Sequence, residues 1–259
     1  MKRCAGGRNR PGIVLLIITL LCFAYCGTAV AEYTSTPMDI TVEGGGYTGT
    51  LTLDPEWFAP GYWDQVFSSD APVSWNSKDI FPAGIDIAAE NDDGIILAHI
   101  NGLTVAYEGD PVATLGFSVT AGAYATSFSF SSPLMTFDAI TNAEAYAEAA
   151  VSITGSQPPI HTLYGSYPGP HAYKALYNNG TVFSYLLDTP ITSISADDTG
   201  AMAPLPGTIT SMQSKFQFIL TAGDTANGSS YYEIGTVIPE PATMALLGLG
   251  GFALLRKRN

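Results

Sequence analysis

Ile95-Ile96-Leu97-Ala98-His99-Ile100-Asn101-Gly102-Leu103-Thr104-Val105-Ala106-Tyr107 is the stretch whose reading decides the fold. Two runs rich in apolar and β-branched residues flank an Asn-Gly pair, the dipeptide that most readily supplies the positive φ angles of a two-residue turn. A β-hairpin turning at Asn101-Gly102 is therefore predicted. The same logic predicts a second hairpin at Asn178-Asn179-Gly180, joining Tyr173 to Tyr177 with Thr181 to Leu187. Thr126 to Phe130 and Lys215 to Phe218 alternate apolar with polar residues, the period of a half-buried strand. Further strands are expected at Asp39 to Glu43, Tyr47 to Leu53, Ile85 to Ala89, Val112 to Val119, Leu134 to Ile140 and Tyr231 to Val237.

Ala143 to Ala150 reads Ala-Glu-Ala-Tyr-Ala-Glu-Ala-Ala, which favours a helix by residue type but alternates strictly by pattern. It runs without a cap or break into Val151-Ser152-Ile153-Thr154, so a strand is predicted. Many short strands and little helix amount to an all-β fold, an antiparallel β-sandwich of jelly-roll-like form. No internal repeat at a fixed period is visible.

Outward from this body the two ends differ in kind. Lys2, Arg3, Arg8 and Arg10 precede an apolar core from Ile13 to Ala24, and Ala29-Val30-Ala31 offers small residues for signal peptidase, predicting cleavage before Glu32. Leu21 before Cys22 and Tyr25 before Cys26 argue against lipidation, which wants a small residue at that place. At the other end Pro239-Glu240-Pro241 is followed by Ala242 to Leu255, fourteen residues without charge, then by Arg256-Lys257-Arg258 and Asn259. Fourteen residues fall short of the roughly 20 that cross a bilayer as a helix, so this segment is a marginal anchor. The basic triplet resists translocation and stays cytoplasmic, and the prolines hold the preceding backbone extended. The expected division is a signal peptide at 1–31, a β-sandwich domain at 32–237 and a sorting signal at 238–259.

This order of parts resembles the C-terminal signal of PEP-CTERM proteins, which are exported bacterial proteins sorted by exosortase, a membrane-embedded processing enzyme. The resemblance covers only the tail. It implies recognition at Pro239, Glu240 and Pro241, a transient membrane stop through the apolar helix, retention by Arg256, Lys257 and Arg258, and delivery to the cell surface or extracellular matrix. It also implies an association with exopolysaccharide and biofilm. Bodies attached to such tails vary widely, so the resemblance assigns residues 32–237 no activity.

Composition narrows what the body does. Cys4, Cys22 and Cys26 all lie in the predicted signal, so the mature chain relies on no disulfide even though it enters an oxidising compartment. Of the twenty-three acids only Glu240 lies outside the body, whereas of the ten basic residues only Lys78, Lys174 and Lys215 lie inside it. A surface with so few cations excludes binding of nucleic acid through its phosphates. It favours neutral sugars or divalent cations as partners.

Catalytic patterns are weak. Gly116-Phe117-Ser118-Val119-Thr120 lacks the second glycine of a nucleophile elbow and lies within a strand pattern. His161 and His171 stand ten apart in a Pro-, Gly- and Tyr-rich loop and match no zinc spacing, and His99 alternates within its strand. Glu90-Asn91-Asp92-Asp93-Gly94 offers oxygen ligands, yet aligning Gly94 with the glycine of a helical calcium loop puts Ala89 first and Ile100 last, so that motif is absent. Calcium assembled from separate loops, with Glu90, Asp92 and Asp93 and with Asp86 or Asp197-Asp198, is the one cofactor left open; the alternative is a solvated turn.

Aromatic residues supply the remaining candidate. Trp57, Trp63 and Trp75 fall in one irregular stretch, and Tyr164, Tyr167 and Tyr173 in a later one. Exposed, they would stack on sugar rings; buried, they would close one end of the sandwich. Asn179-Gly180-Thr181 and Asn227-Gly228-Ser229 match glycosylation acceptors and mark plausible exposed turns. The expected function is a non-enzymatic exported surface or matrix component. A lectin-like module is the alternative, and a polysaccharide-acting enzyme comes third.

Overall fold

The computed structural model describes residues 38–54, 61, 73–109, 111–155, 161–192 and 195–236, excepting the side chains at 93 and 195. The expectations for the signal peptide and the tail fall outside these residues. In chain order, β1 (Met38–Gly44) and β2 (Tyr47–Leu53) enter sheet I. β3 (Val73–Asn76), β4 (Ile85–Ala89), β5 (Asp92–Glu108) and β6 (Val112–Ala121) build one side of sheet II. β7 (Thr126–Ser131) and β8 (Met135–Thr141) return to sheet I, and β9 (Ala143–Thr154) crosses to sheet II. β10 (Leu163–Gly165), β11 (His171–Tyr177) and β12 (Thr181–Asp188) belong to sheet I, β13 (Ser195–Thr199) and β14 (Ala203–Pro204) to sheet II, β15 (Thr208–Leu220) to sheet I and β16 (Thr225–Thr236) to sheet II.

Each sheet has eight strands, ordered β12-β11-β15-β7-β1-β2 in sheet I and β13-β9-β16-β6-β5-β3 in sheet II. β8 and β10 also pair with β15, β4 with β5, and β14 with β9. The two antiparallel sheets pack face to face, so the fold is an all-β sandwich. Of the described residues only Ser77–Asp79 forms a helical turn, a single 3-10 turn.

The predicted hairpin at Asn101-Gly102 does not exist. β5 runs through this pair as one 17-residue strand, and neither residue has a positive φ. Asn101 is instead the extra residue of a bulge against β6, with Ile100 facing Val119 and Gly102 facing Ser118. Two short strands lie end to end on the other edge of β5: β4 pairs with its first half and β3 with its second. The 3-10 turn links them at the bulge, where Ser77 Oγ accepts from Leu103 N at 2.9 Å. Asn-Gly thus marks a true interruption in the ladder, but the chain continues because both halves of the strand find partners.

Turns form where positive φ is present. Gly45 at +61° and Gly46 at +87° join β1 to β2, and Asn178 at +45° and Asn179 at +58° open the predicted β11–β12 turn. Asn142 at +55° is the single residue between β8 and β9, and it turns the chain from one sheet to the other.

Alternation prevails over helix propensity in β9. Ala143, Ala145, Ala147, Ala149, Val151 and Ile153 are buried, and the strand is paired along one edge by β16 and along the other by β13 and β14. These small side chains sit beside large ones, as where Ala147 faces the buried Tyr232 of β16. Between the sheets lies an aromatic centre. Phe117 of β6 stacks on Phe130 of β7 at 4.9 Å and meets Phe216 of β15 edge-on at 5.0 Å. Phe218 lies 5.5 Å away, and a Cβ on Gly228, the register partner of Phe117, would collide with its ring. The Tyr173 hydroxyl, fully buried, pairs with Ser214 Oγ at 3.0 Å, and burial pushes its pKa up to about 12.

Candidate functional site

Among the described residues, the members of the predicted aromatic platform do not share one exposed surface. Trp75 is 3% exposed and Tyr173 is fully buried, so both are core residues and neither can meet a sugar ring. Tyr167 is 8% exposed and lies under Lys174, while Tyr164 stands out, at 51%. Trp57 and Trp63 lie outside the described residues.

The acidic run likewise holds itself. Asp92 Oδ1 accepts from Gly94 N at 3.1 Å, capping its own turn, and Glu90 Oε1 accepts from the Thr50 hydroxyl at 3.1 Å. Asp86 is taken by His99, and Asp198 Oδ2 accepts from Leu187 N while the adjacent Asp197 is exposed. The side chain of Asp93 is outside the described set. Among the described residues no group of three or more His, Cys, Asp or Glu side chains is placed to hold a metal ion.

Each histidine is paired through Nδ1 with an aspartate: His99 with Asp86 at 2.7 Å, His161 with Asp224 at 2.8 Å, His171 with Asp188 at 2.8 Å. Sequence reasoning missed this pattern because every partner is remote in the chain. His161 and His171 therefore serve two separate contacts. The His161 contact is structural, since Asp224 is only 2% exposed and sits in the turn between β15 and β16. His161→Ala is expected to cost about 3 kcal/mol, because it strands a buried carboxylate. Urea unfolding checks this, and a loss under about 1 kcal/mol would show that the pair carries little.

Among the described residues a concavity crosses the outer face of sheet II. Alternation puts Thr104 of β5, Gly116 of β6, Ser229 of β16, Ala150 of β9 and Asp197 of β13 in one cross-strand row, each registered on the next. Side chains this small leave a trough of about 480 Å³. Two hollows of about 290 and 300 Å³ continue it, one toward Asn76 and Lys78 and the other beside Asn227 and Ser152. At about 4.8 Å between strands, the five-residue row spans about 19 Å.

The wall beside this floor is a box of two tyrosines and two glutamates. Tyr231 of β16 faces Glu148 of β9, and Glu233 faces Tyr146. Each tyrosine donates along its own strand, Tyr146 to Glu148 and Tyr231 to Glu233, both at 2.8 Å, and the rings meet edge-on at 6.1 Å. The Tyr146 phenol is raised in pKa chiefly by its bond to Glu148. Tyr231 is raised by burial first and then by Glu233, with Glu108 and Glu148 adding to it. Both phenols are thereby held as donors to carboxylates. The sequence signal for this wall was the repeated Tyr-x-Glu at 146–148 and 231–233. In chemical terms the trough offers hydroxyls from Thr104, Thr114, Thr199 and Ser229, carboxylate acceptors from Glu148 and Asp197, and the flank of a tyrosine.

Residues 237–259 match the family model of the PEP-CTERM protein-sorting motif. The chain thus carries a PEP-CTERM sorting domain, which implies an exported protein processed by exosortase at the cell envelope or surface. A search among curated proteins finds no match to this chain. Among the described residues no helix is long and apolar enough to cross a membrane.

Proposed function

We propose that this chain is a non-enzymatic component of the cell surface or extracellular matrix that binds exopolysaccharide along the trough of sheet II, within a biofilm. Signal peptidase removes residues 1–31, and the C-terminal apolar segment holds the chain in the membrane until exosortase acts. The observation that supports the binding reading is the hydroxyl- and carboxylate-lined trough itself, long, open and shallow as a chain of sugar rings requires. Fixed carboxylates and a scarcity of cations favour neutral sugars, whose hydroxyls donate to Glu148 and Asp197.

Affinity electrophoresis against a panel of neutral β-glucans and mannans tests this. Ser229→Trp fills the floor with an outward-facing ring and is expected to weaken binding at least tenfold without unfolding the chain. Unchanged binding by this variant, or no binding by the parent chain to any of the panel, would overturn the reading. Trp57→Ala and Trp63→Ala form a separate arm for the predicted aromatic platform.

One observation favours a second reading, as a polysaccharide-acting enzyme. Glu148 and Asp197 are diagonal neighbours across β9 and β13, a placement worth about 7–8 Å between backbones. Two carboxyls about 6.5–9.5 Å apart leave room for an attacking water. New reducing ends in the same incubations, lost on Glu148→Gln, would establish it.

A further inference from the structure

The outer face of sheet I carries a feature that the trough reading does not use. Lys174 of β11 and Lys215 of β15 are direct register partners, so two of the three cations of the body stand opposite each other on neighbouring strands. Like charges so placed repel. Neither lysine makes an ion pair among the described residues. Asp39, farther along the same cross-strand row, accepts from the Thr52 hydroxyl at 3.0 Å, and Asp188 is engaged by His171.

The pair is built into a frame. Lys174 Nζ lies 4.4 Å over the Tyr167 ring, and Tyr185, the partner of Lys174 on β12, stacks on His171 at 5.5 Å. Both lysine side chains are half-buried. Their pKa values are lowered first by that burial; Lys174 is lowered further by Lys215, while Asp39 partly offsets the effect at Lys215. Two lysines in direct register, one of them over an aromatic ring and neither in an ion pair among the described residues, fit one kind of occupant.

We propose that Lys174 and Lys215 form a binding site for an anionic oxygen group carried on a sugar ring, with the Tyr167 and Tyr185 rings beside it. The shared chemistry is an oxyanion bridging two ammonium groups, and carboxylate and sulfate are its two sources. The site lies on the sheet opposite the trough, so it stands or falls independently of the neutral-sugar reading. It would let one molecule join an acidic strand to a neutral one.

The test is titration calorimetry of the purified full chain at low salt with oligogalacturonate, with sulfated dextran oligomers, and with an uncharged dextran of equal length. Binding of either charged probe, weakened at least tenfold by Lys174→Gln or Lys215→Gln and steeply by salt, supports the site; which probe binds identifies the source. The uncharged dextran should show none of this lysine-dependent binding. Both variants should melt close to the parent chain, since each removes a like-charge contact and Lys174→Gln gives up in exchange its contact over the Tyr167 ring. Failure of both charged probes, or equal binding by the Lys174→Gln/Lys215→Gln double variant, would overturn the proposal. Loss of trough binding on Ser229→Trp should leave these titrations unchanged.

Discussion

Phe117→Ala is expected to destabilise the chain by about 4 kcal/mol. The ring projects from sheet II into the phenylalanine cluster of sheet I, where it touches Phe130, Phe216 and Phe218. Truncating a buried phenylalanine costs about 3–5 kcal/mol through lost transfer and the cavity left behind. Aromatic pairs add about 0.5–1.5 kcal/mol beyond area. Sheets on both sides are tied by long ladders, so the site has little freedom to collapse. Urea unfolding followed by tryptophan fluorescence measures the change, and a loss below about 1.5 kcal/mol would show the cluster to be adaptable.

Gly228→Val tests the same contact from its other side. A Cβ there collides with the Phe117 ring, so the ring must leave its stack for any side chain to enter. The expected loss is about 2–3 kcal/mol, the range of overpacking. It should shrink in a Phe117→Ala background, where the space is free; equal losses in both backgrounds would detach Gly228 from the cluster.

Removing residues 239–259 is expected to abolish exosortase processing altogether and to release the body into the medium. Pro239-Glu240-Pro241, the apolar segment and the basic triplet form the matched sorting motif. An apolar stretch of fourteen residues is too short to anchor a protein firmly across about 30 Å of hydrocarbon, which suits a stop that is later cut. Mass spectrometry of the surface-exposed product from the native host reads the outcome: the parent chain should lack its last residues. A mature form ending at Asn259, or a truncated chain that still reaches the surface in equal amount, would refute this.

Much of the framework was legible because it is written in local alternation. The strands at Tyr47 to Leu53, Thr126 to Phe130 and Ala143 to Thr154 follow from side chains pointing to opposite faces with period two, whatever they pair with. Asn178-Asn179-Gly180 was legible because positive φ is a local property. Asn101-Gly102 was misread for the same reason: the dipeptide permits a turn, and only the partners of each half decide whether one forms. Trp75 was open between platform and core, since burial depends on what lies above a residue. β3, β10 and β14 are too short to announce themselves, β13 reads as a polar Ser-Ala-Asp-Asp-Thr run, and all four exist because a longer neighbour offers an edge.

The ends and the balance of charge were determined by the chain alone. A cationic and apolar N-terminal stretch, a short oily tail with a basic stop and a body almost free of Lys and Arg act through composition, which no folding alters. The trough and the lysine pair were decided only by tertiary structure. Thr104, Gly116, Ser229, Ala150 and Asp197 form one row although they come from five strands, and Lys174 meets Lys215 across two strands distant in sequence. Cross-strand register brings them together. It is set by the packing of whole sheets, in which a slip of one residue would turn every side chain to the opposite face.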